Sequence, residues 1–540
     1  MGHNYKKDTV VYQIYPRSFR DTTGNGIGDI PGIISKLEYL ADLGVNTIWL
    51  SPVYLSPNDD NGYDIADYKA IQPEFGTMAD FEELVQKARS LGIGIVMDLV
   101  INHTSDEHMW FKRALNGEEK YKNYYIIKKG TKDKVPNNWG NFFAECPWAK
   151  FGDSEDEYYL HLFSKKQPDL NWHNPEVLEE IKDIMRFWLD KGVVGFRCDV
   201  INVIYKNSLE NGKKKFILTG SEHYLSTEGC HEILRTLRKE VLEPYGAFAV
   251  GETVFVDIAK AKDLCDEERR ELDFVFSFEH MECDQVVVKW FKTKLRPKKL
   301  MKTLTKWQKG LKWNATYFEN HDQPRFISRF QDLKEYRAEA SKMMAGLLLT
   351  LRGTPYIYQG QEIGMVNGDF ENLDEIVDIE SHNVNAMAKS LHLPKKMRWK
   401  MIKRTSRDNA RTPMQWNDSE NAGFSTVKPW LKVNKNYKEV NVENQQFDEK
   451  SVFSFWKRMI KLRKENDVLA LGDFNSLYEG KYVYIFERNY RGKKLISVCN
   501  MGAKKQKISA KYAQGRLVIS NYENISEDLM PFEFRLIEVN

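Results

Sequence analysis

The chain has 540 residues, more than one ordinary core accommodates, since domains usually hold ~100 to 200 residues and large barrels about 250. A 42% hydrophobic share with 13 Trp, 26 Tyr and 29 Phe supplies ample apolar surface for packed domains and excludes a disordered or collagen-like chain. The formal charge of +3 gives no electrostatic reason to expect DNA, RNA or an anionic membrane as partner.

In chain order, MGHNYKKDTVVYQ runs straight into a strand without the apolar stretch of a secretory leader, and nothing later approaches ~18 uninterrupted apolar residues. The expectation is a soluble cytoplasmic protein. VVYQIYP (10–16) reads as the first strand. Ile33, Ile34, Leu37, Leu40 and Leu43 then mark one helical face, Gly44 stops it, and Thr47 to Leu50 follow as a buried strand. The unit repeats: Phe81, Leu84, Val85, Ala88 and Leu91 form an apolar helical face, Gly92 ends it, and IGIVMDLV (93–100) is a near-continuous apolar strand. A third helix opens with Asn174 as cap and Pro175 in its first turn, and it ends at Gly192 before the strand VVGFRCDV. AFAVGE (247–252), DFVFSF (273–278), ATYFENHD (315–322) and TPYIYQG (354–360) bring the strand candidates to eight. Alternating strands and helices imply a parallel sheet with right-handed crossovers, and eight of them an α/β fold of the (β/α)8 barrel type.

Two stretches break the rhythm. Residues 104–172, rich in Trp, Phe, Asn, Lys and Gly, predict a small domain inserted after the third strand. A long polar segment at 363–450 follows the eighth strand, and a helix near 451–464 completes the barrel. KYVYIFERN, KKLISVCN, RLVISN and PFEFRLIEV then predict strands with no helix between them, an antiparallel C-terminal β-domain. The expected domains are barrel residues 1–103 and 173–465, an insertion at 104–172 and a β-sandwich at 466–540. Six cysteines without CxxC spacing speak against structural zinc, and the basic runs at 292–299 and 395–404 read as solvated faces.

Chemistry in a parallel barrel gathers at the C-terminal strand ends. Four strands carry acids there: Asp98, Asp199, Glu252 and Asp322. The period-2 rule puts Arg197 and Asp199 on one face of GFRCDV and Phe196 and Cys198 on the other. Any one such acid is as easily a cap or an ion-pair member. Several around one ring, with Arg197, His103 and His321 and many aromatic faces, describe a polar cleft for a neutral polyol, and two carboxylates in different environments can divide acid and nucleophile roles. A metal site built from the same acids is the competing reading, weakened by the lack of an HExxH-type ligand pair.

Five ordered blocks carry a resemblance: DLVINH (98–103), QPDLNW (167–172), GFRCDVIN (195–202), GET (251–253) and NHD (320–322), flanked by SPNDDNGYDIADY (56–68) and RDNARTPMQW (407–416). From residue 8 to beyond 460, the chain resembles the α-amylase family, glycoside hydrolase family 13, and within it the oligo-1,6-glucosidase and α-glucosidase group. The resemblance implies a retaining, exo-acting α-glucosidase of short oligosaccharides, with Asp199 as nucleophile, Glu252 as general acid/base and Asp322 as the carboxylate stabilising the transition state. It implies that Arg197 orients Asp199, that His103 and His321 bind hydroxyls of the nonreducing glucose, and that Asp60 and Arg411 grip its 4-hydroxyl while Tyr63 stacks on the ring. Phe163 and Gln167 join the substrate-binding set. Val200, after the nucleophile, goes in this group with α-1,6 cleavage. DTTGNGIGD (21–29) resembles the group's calcium loop, with Asp21, Asn25, Asp29 and the Ile27 carbonyl as donors. The implied enzyme is a monomer with no nucleic-acid or membrane partner and no organic cofactor.

Glu252 is expected to have its pKa raised by burial and nearby anions, and Asp199 to be kept ionised by Arg197. Cys198 has the outward parity of a packed thiol. Glu319, where the group commonly has Asn, shares parity with His321 and is expected to face the cleft, while Val254 and Phe255 alter the acceptor wall. The rivals are α-1,4-glucosidase, dextran glucosidase, trehalose-6-phosphate hydrolase, sucrose isomerase and an inactive sugar-binding member. The isomerase's Arg-bearing loop is not visible in FEHMECDQ (278–285), and the intact trio argues against an inactive protein.

Overall fold

The computed structural model describes residues 8 to 539 apart from 144, 216, 287, 331, 332 and 334. The first seven residues, part of the stretch that predicts no leader, lie outside the described ones. Eight short strands alternate with helices: β1 (Val11–Ile14), β2 (Thr47–Leu50), β3 (Gly94–Leu99), β4 (Gly195–Cys198), β5 (Phe248–Glu252), β6 (Phe274–Phe276), β7 (Ala315–Thr316) and β8 (Thr354–Tyr358). The fold is a (β/α)8 barrel with a C-terminal antiparallel sheet.

Residues 49–86 and 94–277 form one compact unit. Its strands β3, β4, β5 and β6 pair in parallel, with Asp98 opposite Arg197, Arg197 opposite Val250, and Glu252 opposite Phe276. These strands are buried at nearly every position, as a sheet covered on both faces requires. Gly195 is demanded by close approach, because a Cβ there would lie 2.5 Å from the carbonyl oxygen of Phe248. The helix Pro175–Asp190 starts as its sequence predicts. The Asn174 side chain accepts the Glu176 N–H, Pro175 occupies the first turn, and Val177, Ile181, Met185 and Trp188 are buried.

The stretch 104–172, predicted without regular elements, holds a three-stranded antiparallel sheet in which Glu157–Leu160 pairs with Ile127–Lys129 and with Trp148–Lys150. Its core joins Trp139, Trp148, Leu160 and Leu162 to Val200 and Val203, with Phe142, Phe163 and Val254 packed against them. Strands of three or four residues are too short for their alternation to be read from sequence.

Residues 1–48, 87–93 and 278–540 form the second unit, in which β8 pairs in parallel with β1 and β7. The strand expected over 315–322 stops at Thr316. Beyond it the Glu319 carboxylate accepts the Phe326 N–H and an Arg325 N–H, so the chain turns back on itself. The segment after β8, read as a long polar stretch, contains the helices Ile379–Ser390 and Lys395–Thr405. The helix expected near 451–464 spans Val452–Glu465, capped by Ser451. At the C-terminus a five-stranded antiparallel sheet includes the four expected strands and an edge strand, Asp473–Glu479, whose half-exposed residues hid it from the hydrophobic pattern. Among the described residues no helix is long and apolar enough to cross a membrane.

Candidate active site

In the first unit, one guanidinium gathers three carboxylates. Arg197 Nη1 donates to Asp98 Oδ1 at 2.6 Å and to Asp199 Oδ1 at 2.5 Å, and Nη2 lies 2.6 Å from Glu252 Oε2. All four residues are buried. The register explains the cluster: Asp98 and Arg197 are opposed on adjacent strands, Asp199 lies two residues on, just past the end of β4, and Glu252 ends β5. Asp98 Oδ2 in turn accepts the Trp49 indole N–H at 2.8 Å and the Tyr63 hydroxyl at 3.4 Å. The rings of Trp49 and Tyr63 lie 5.1 and 5.8 Å from the Arg197 carbon, within cation–π range.

Burial pushes the Asp199 carboxyl well above the usual carboxylate range, with Glu252 and Asp98 adding to the push and Arg197 opposing it. This departs from the expectation that Arg197 keeps Asp199 ionised. A single cation serves three anions here, and carboxyls this close titrate as a set rather than singly. Cys198, on the opposite face of β4, is pushed up to about 12 by burial, which leaves it an unreactive packed thiol.

Beside the cluster, His103 has Nε2 3.1 Å from both the Tyr63 carbonyl and Gln167 Nε2, and burial lowers its pKa to about 4. It is therefore neutral at pH 7. Gln167 also donates to Asp60 Oδ2 at 3.4 Å, so Asp60, Tyr63, His103 and Gln167 form one connected group. Phe163 lies 5.2 Å from His103 and stacks on Phe142 at 4.7 Å with the planes 5° apart. Asp64, absent from the sequence-predicted set, accepts the backbone N–H groups of Asp59 and Asp60 and the Ser56 hydroxyl, which shapes the loop that carries Asp60 and Tyr63. Burial raises its pKa to about 6.

The second unit holds the remaining group. Asp322 Oδ1 accepts from Arg411 at 2.9 Å and Arg407 at 3.4 Å, while Oδ2 lies 3.1 Å from His321 Nε2. Burial works to raise Asp322, but His321, Arg407 and Arg411 together outweigh it and hold the carboxyl well below its usual range. Arg411 also donates to the His321 carbonyl, and Gln13 holds His321 Nδ1 at 2.7 Å. Arg407, which sequence reasoning missed, could have been found from its position four residues before Arg411, on the same side of a helical turn. Glu319 does not face a cleft. It is buried and paired with Arg325 at 3.0 Å.

The side-chain oxygens of segment 21–29 that the calcium resemblance implies are held mainly by the loop itself. Asp21 accepts the backbone N–H groups of Thr23, Gly24 and Gly26 and the Ser425 hydroxyl; Asp29 accepts those of Thr22, Thr23 and Gly32; Asn25 Oδ1 accepts that of Ile27. Every side-chain oxygen proposed as a ligand already has an internal donor, and Thr23 supplies no charge. Among the described residues no cluster of three or more His, Cys, Asp or Glu is placed to hold a metal. The donor set does not fit a calcium cage.

Buried carboxylates tied by arginine at the C-terminal strand ends of a (β/α)8 barrel define a glycosidase-type site. The model of the α-amylase catalytic domain matches residues 13–472, and the chain belongs to that family. It is 46% identical to the oligo-1,6-glucosidase of Parageobacillus thermoglucosidasius over 99% of this chain and 98% of that one. Its structure resembles the trehalose-6-phosphate hydrolase TreA of Bacillus licheniformis with a TM-score of 0.93, 40% identity and coverage of 99% and 100% of the two chains. It also resembles the isomaltulose synthase PalI of Klebsiella sp. LX3, with a TM-score of 0.95, 35% identity and 99% of each chain covered.

Proposed function

We propose that the protein is a retaining, exo-acting α-glucosidase that releases glucose from the nonreducing ends of short α-1,6-linked oligosaccharides such as isomaltose and panose. The observation that carries the mechanism is Arg197 bridging Asp199 and Glu252 within 2.5 and 2.6 Å, which brings both carboxyls to one guanidinium and supports the close spacing of a retaining pair. Asp199 attacks the anomeric carbon from the face opposite the glycosidic oxygen, and Glu252 gives its proton to that oxygen. The bond breaks, the acceptor leaves as an alcohol, and a β-glucosyl ester of Asp199 remains. Glu252, now a carboxylate, takes a proton from water, which attacks the same carbon and returns the α-anomer. Asp322, held ionised by His321, Arg407 and Arg411, stabilises the oxocarbenium-like transition state. His103 and His321 bind hydroxyls, Asp60 and Arg411 hold the 4-hydroxyl, Tyr63 stacks on the ring, and Phe163 and Gln167 complete the glucose subsite.

The linkage rests on Val200 and on the similarity to an oligo-1,6-glucosidase. Initial rates on isomaltose, panose, maltose, sucrose and trehalose-6-phosphate test it, with the product anomer read by NMR. A faster rate on maltose or trehalose-6-phosphate, or release of β-glucose, would overturn the reading. The similarity to a trehalose-6-phosphate hydrolase supports the phosphorylated disaccharide as the second reading. We further propose a cytoplasmic monomer whose barrel spans 1–103 and 173–465, with 104–172 and 466–540 as separate domains.

A further inference from the structure

Three residues after the nucleophile and two after the acid, the chain is tied to itself by one amide. Asn202 is fully buried. Its Oδ1 accepts the Val254 N–H at 3.0 Å and its Nδ2 donates to the Val254 carbonyl at 2.9 Å, so the side chain pairs with that residue as a neighbouring strand would. Nδ2 also reaches the Ser226 hydroxyl at 3.2 Å, and the Asn202 carbonyl accepts the Ser226 N–H. The loops that leave β4 and β5 are thereby joined directly behind Asp199 and Glu252.

Both joined loops are under backbone constraint. Val200 sits at φ +35° and Phe255 at φ +53°, conformations that cost a β-branched or bulky residue free energy unless the surroundings enforce them. The turn at Val200 aims its N–H at Glu252 Oε2, 3.3 Å away. An oxygen already engaged by Arg197 and a backbone N–H leaves the other carboxyl oxygen to carry the proton.

We propose that Asn202 is a positioning residue of the general acid: its amide clamps the Glu252 loop to the Asp199 loop, so that the proton of Glu252 meets the leaving oxygen. The proposal rests on the functional reading above. It also explains the residue type, because a carboxamide of this length supplies an acceptor to the N–H and a donor to the carbonyl of one residue.

A positioning role for the acid predicts a dependence on the leaving group that a merely structural role does not. Isomaltose leaves as a sugar alcohol and needs a proton, whereas fluoride leaves from α-glucosyl fluoride without one. The value of kcat/KM reports the steps through formation of the glycosyl-enzyme, so it isolates protonation of the leaving group. The experiment measures kcat/KM of the whole enzyme and of Asn202→Ala on both substrates, with a pH profile on isomaltose. General acid catalysis contributes roughly 10² to 10⁴-fold, so the expected loss on isomaltose is about 100-fold and at least about ten times larger than on the fluoride. Asn202→Asp sets a carboxyl oxygen against the Val254 carbonyl, so its loss on isomaltose is expected to be at least that of Asn202→Ala, with the same leaving-group bias. Equal losses on the two substrates, or no loss on either, overturn the proposal. Failure of the unsubstituted enzyme on both substrates removes the functional reading itself and is distinguishable from either.

Discussion

Asp98 and Arg197 face each other from adjacent parallel strands, and Oδ1 of Asp98 accepts a hydrogen bond from Nη1 of Arg197 at 2.6 Å. Both are buried, so neither charge has solvent to fall back on. Asp98→Ala leaves Arg197 its partners Asp199 and Glu252 but removes the acceptor that Asp98 gives the Trp49 indole N–H, a loss of ~1 to 3 kcal/mol. Asp98→Ala is expected to lower both the unfolding midpoint and kcat, and Asp98→Asn, which keeps an acceptor for Trp49, to lower the midpoint less. Thermal unfolding and kinetics on isomaltose check this; an unchanged midpoint in the alanine variant contradicts it.

Asp199→Asn removes the attacking carboxylate while preserving size. Turnover is expected to fall by roughly three orders of magnitude or more, as loss of a nucleophile does, with the unfolding midpoint lowered little or raised. Because burial already pushes Asp199 towards its neutral form, a neutral amide relieves strain among three crowded carboxylates. A variant with near-normal turnover refutes the assignment.

Buried histidines add to the acid sensitivity of the fold. Burial lowers His103 and His280 to about 4 and His108 to about 3, against ~6.5 in the unfolded chain. Between those values the unfolded state binds more protons, so stability rises with pH and is lost on acidification from about 6.5 downward, by on the order of 3 kcal/mol per histidine at the limit. Asp64, raised to about 6, and the carboxyls of Asp199, Glu319, Glu362 and Glu380, raised by burial, act in the opposite sense, so the histidine share is read by removing one histidine. His280→Phe is expected to gain stability relative to the unsubstituted protein as the pH falls from about 6.5 to about 4, read as the difference in unfolding midpoint between the two. A difference that stays constant across that window would rule this out.

Glu319 and Arg325 form a second buried pair, in which Arg325 also donates to the carbonyls of Gln359 and Ala410. Glu319→Gln leaves the guanidinium without its anion and is expected to cost ~3 kcal/mol, part of which returns in the double variant Glu319→Gln with Arg325→Met. Denaturant unfolding of the four proteins measures the coupling, and additive effects exclude it.

The loop at 21–29 closes on its own hydrogen bonds. A chelator is therefore expected to leave the unfolding midpoint unchanged, and a drop of several degrees restored by calcium would show that the loop holds a metal.

Much of this was legible in the chain because it is local. Strand parity places Arg197 and Asp199 together two residues apart, and the Asn174–Pro175 start needs only its own first turn. What escaped was short or exposed: three strands of three or four residues within 104–172, and the half-exposed edge strand Asp473–Glu479, have too little alternation to read. Glu319 shows the limit of parity, since β7 ends at Thr316 and the alternating face that would have aimed Glu319 at a cleft no longer exists there.

By itself the sequence determined the class of fold, the order of the chemical groups and the family, because periodicity, caps and motif blocks are properties of neighbouring residues. Only the tertiary structure decided which charges meet. Arg197 takes Asp98, ninety-nine positions away, as well as its neighbour Asp199, and Arg411 takes Asp322, eighty-nine positions away. Such partners are chosen by strand register and by the cost of burying an unpaired charge, and both are settled only when distant segments pack.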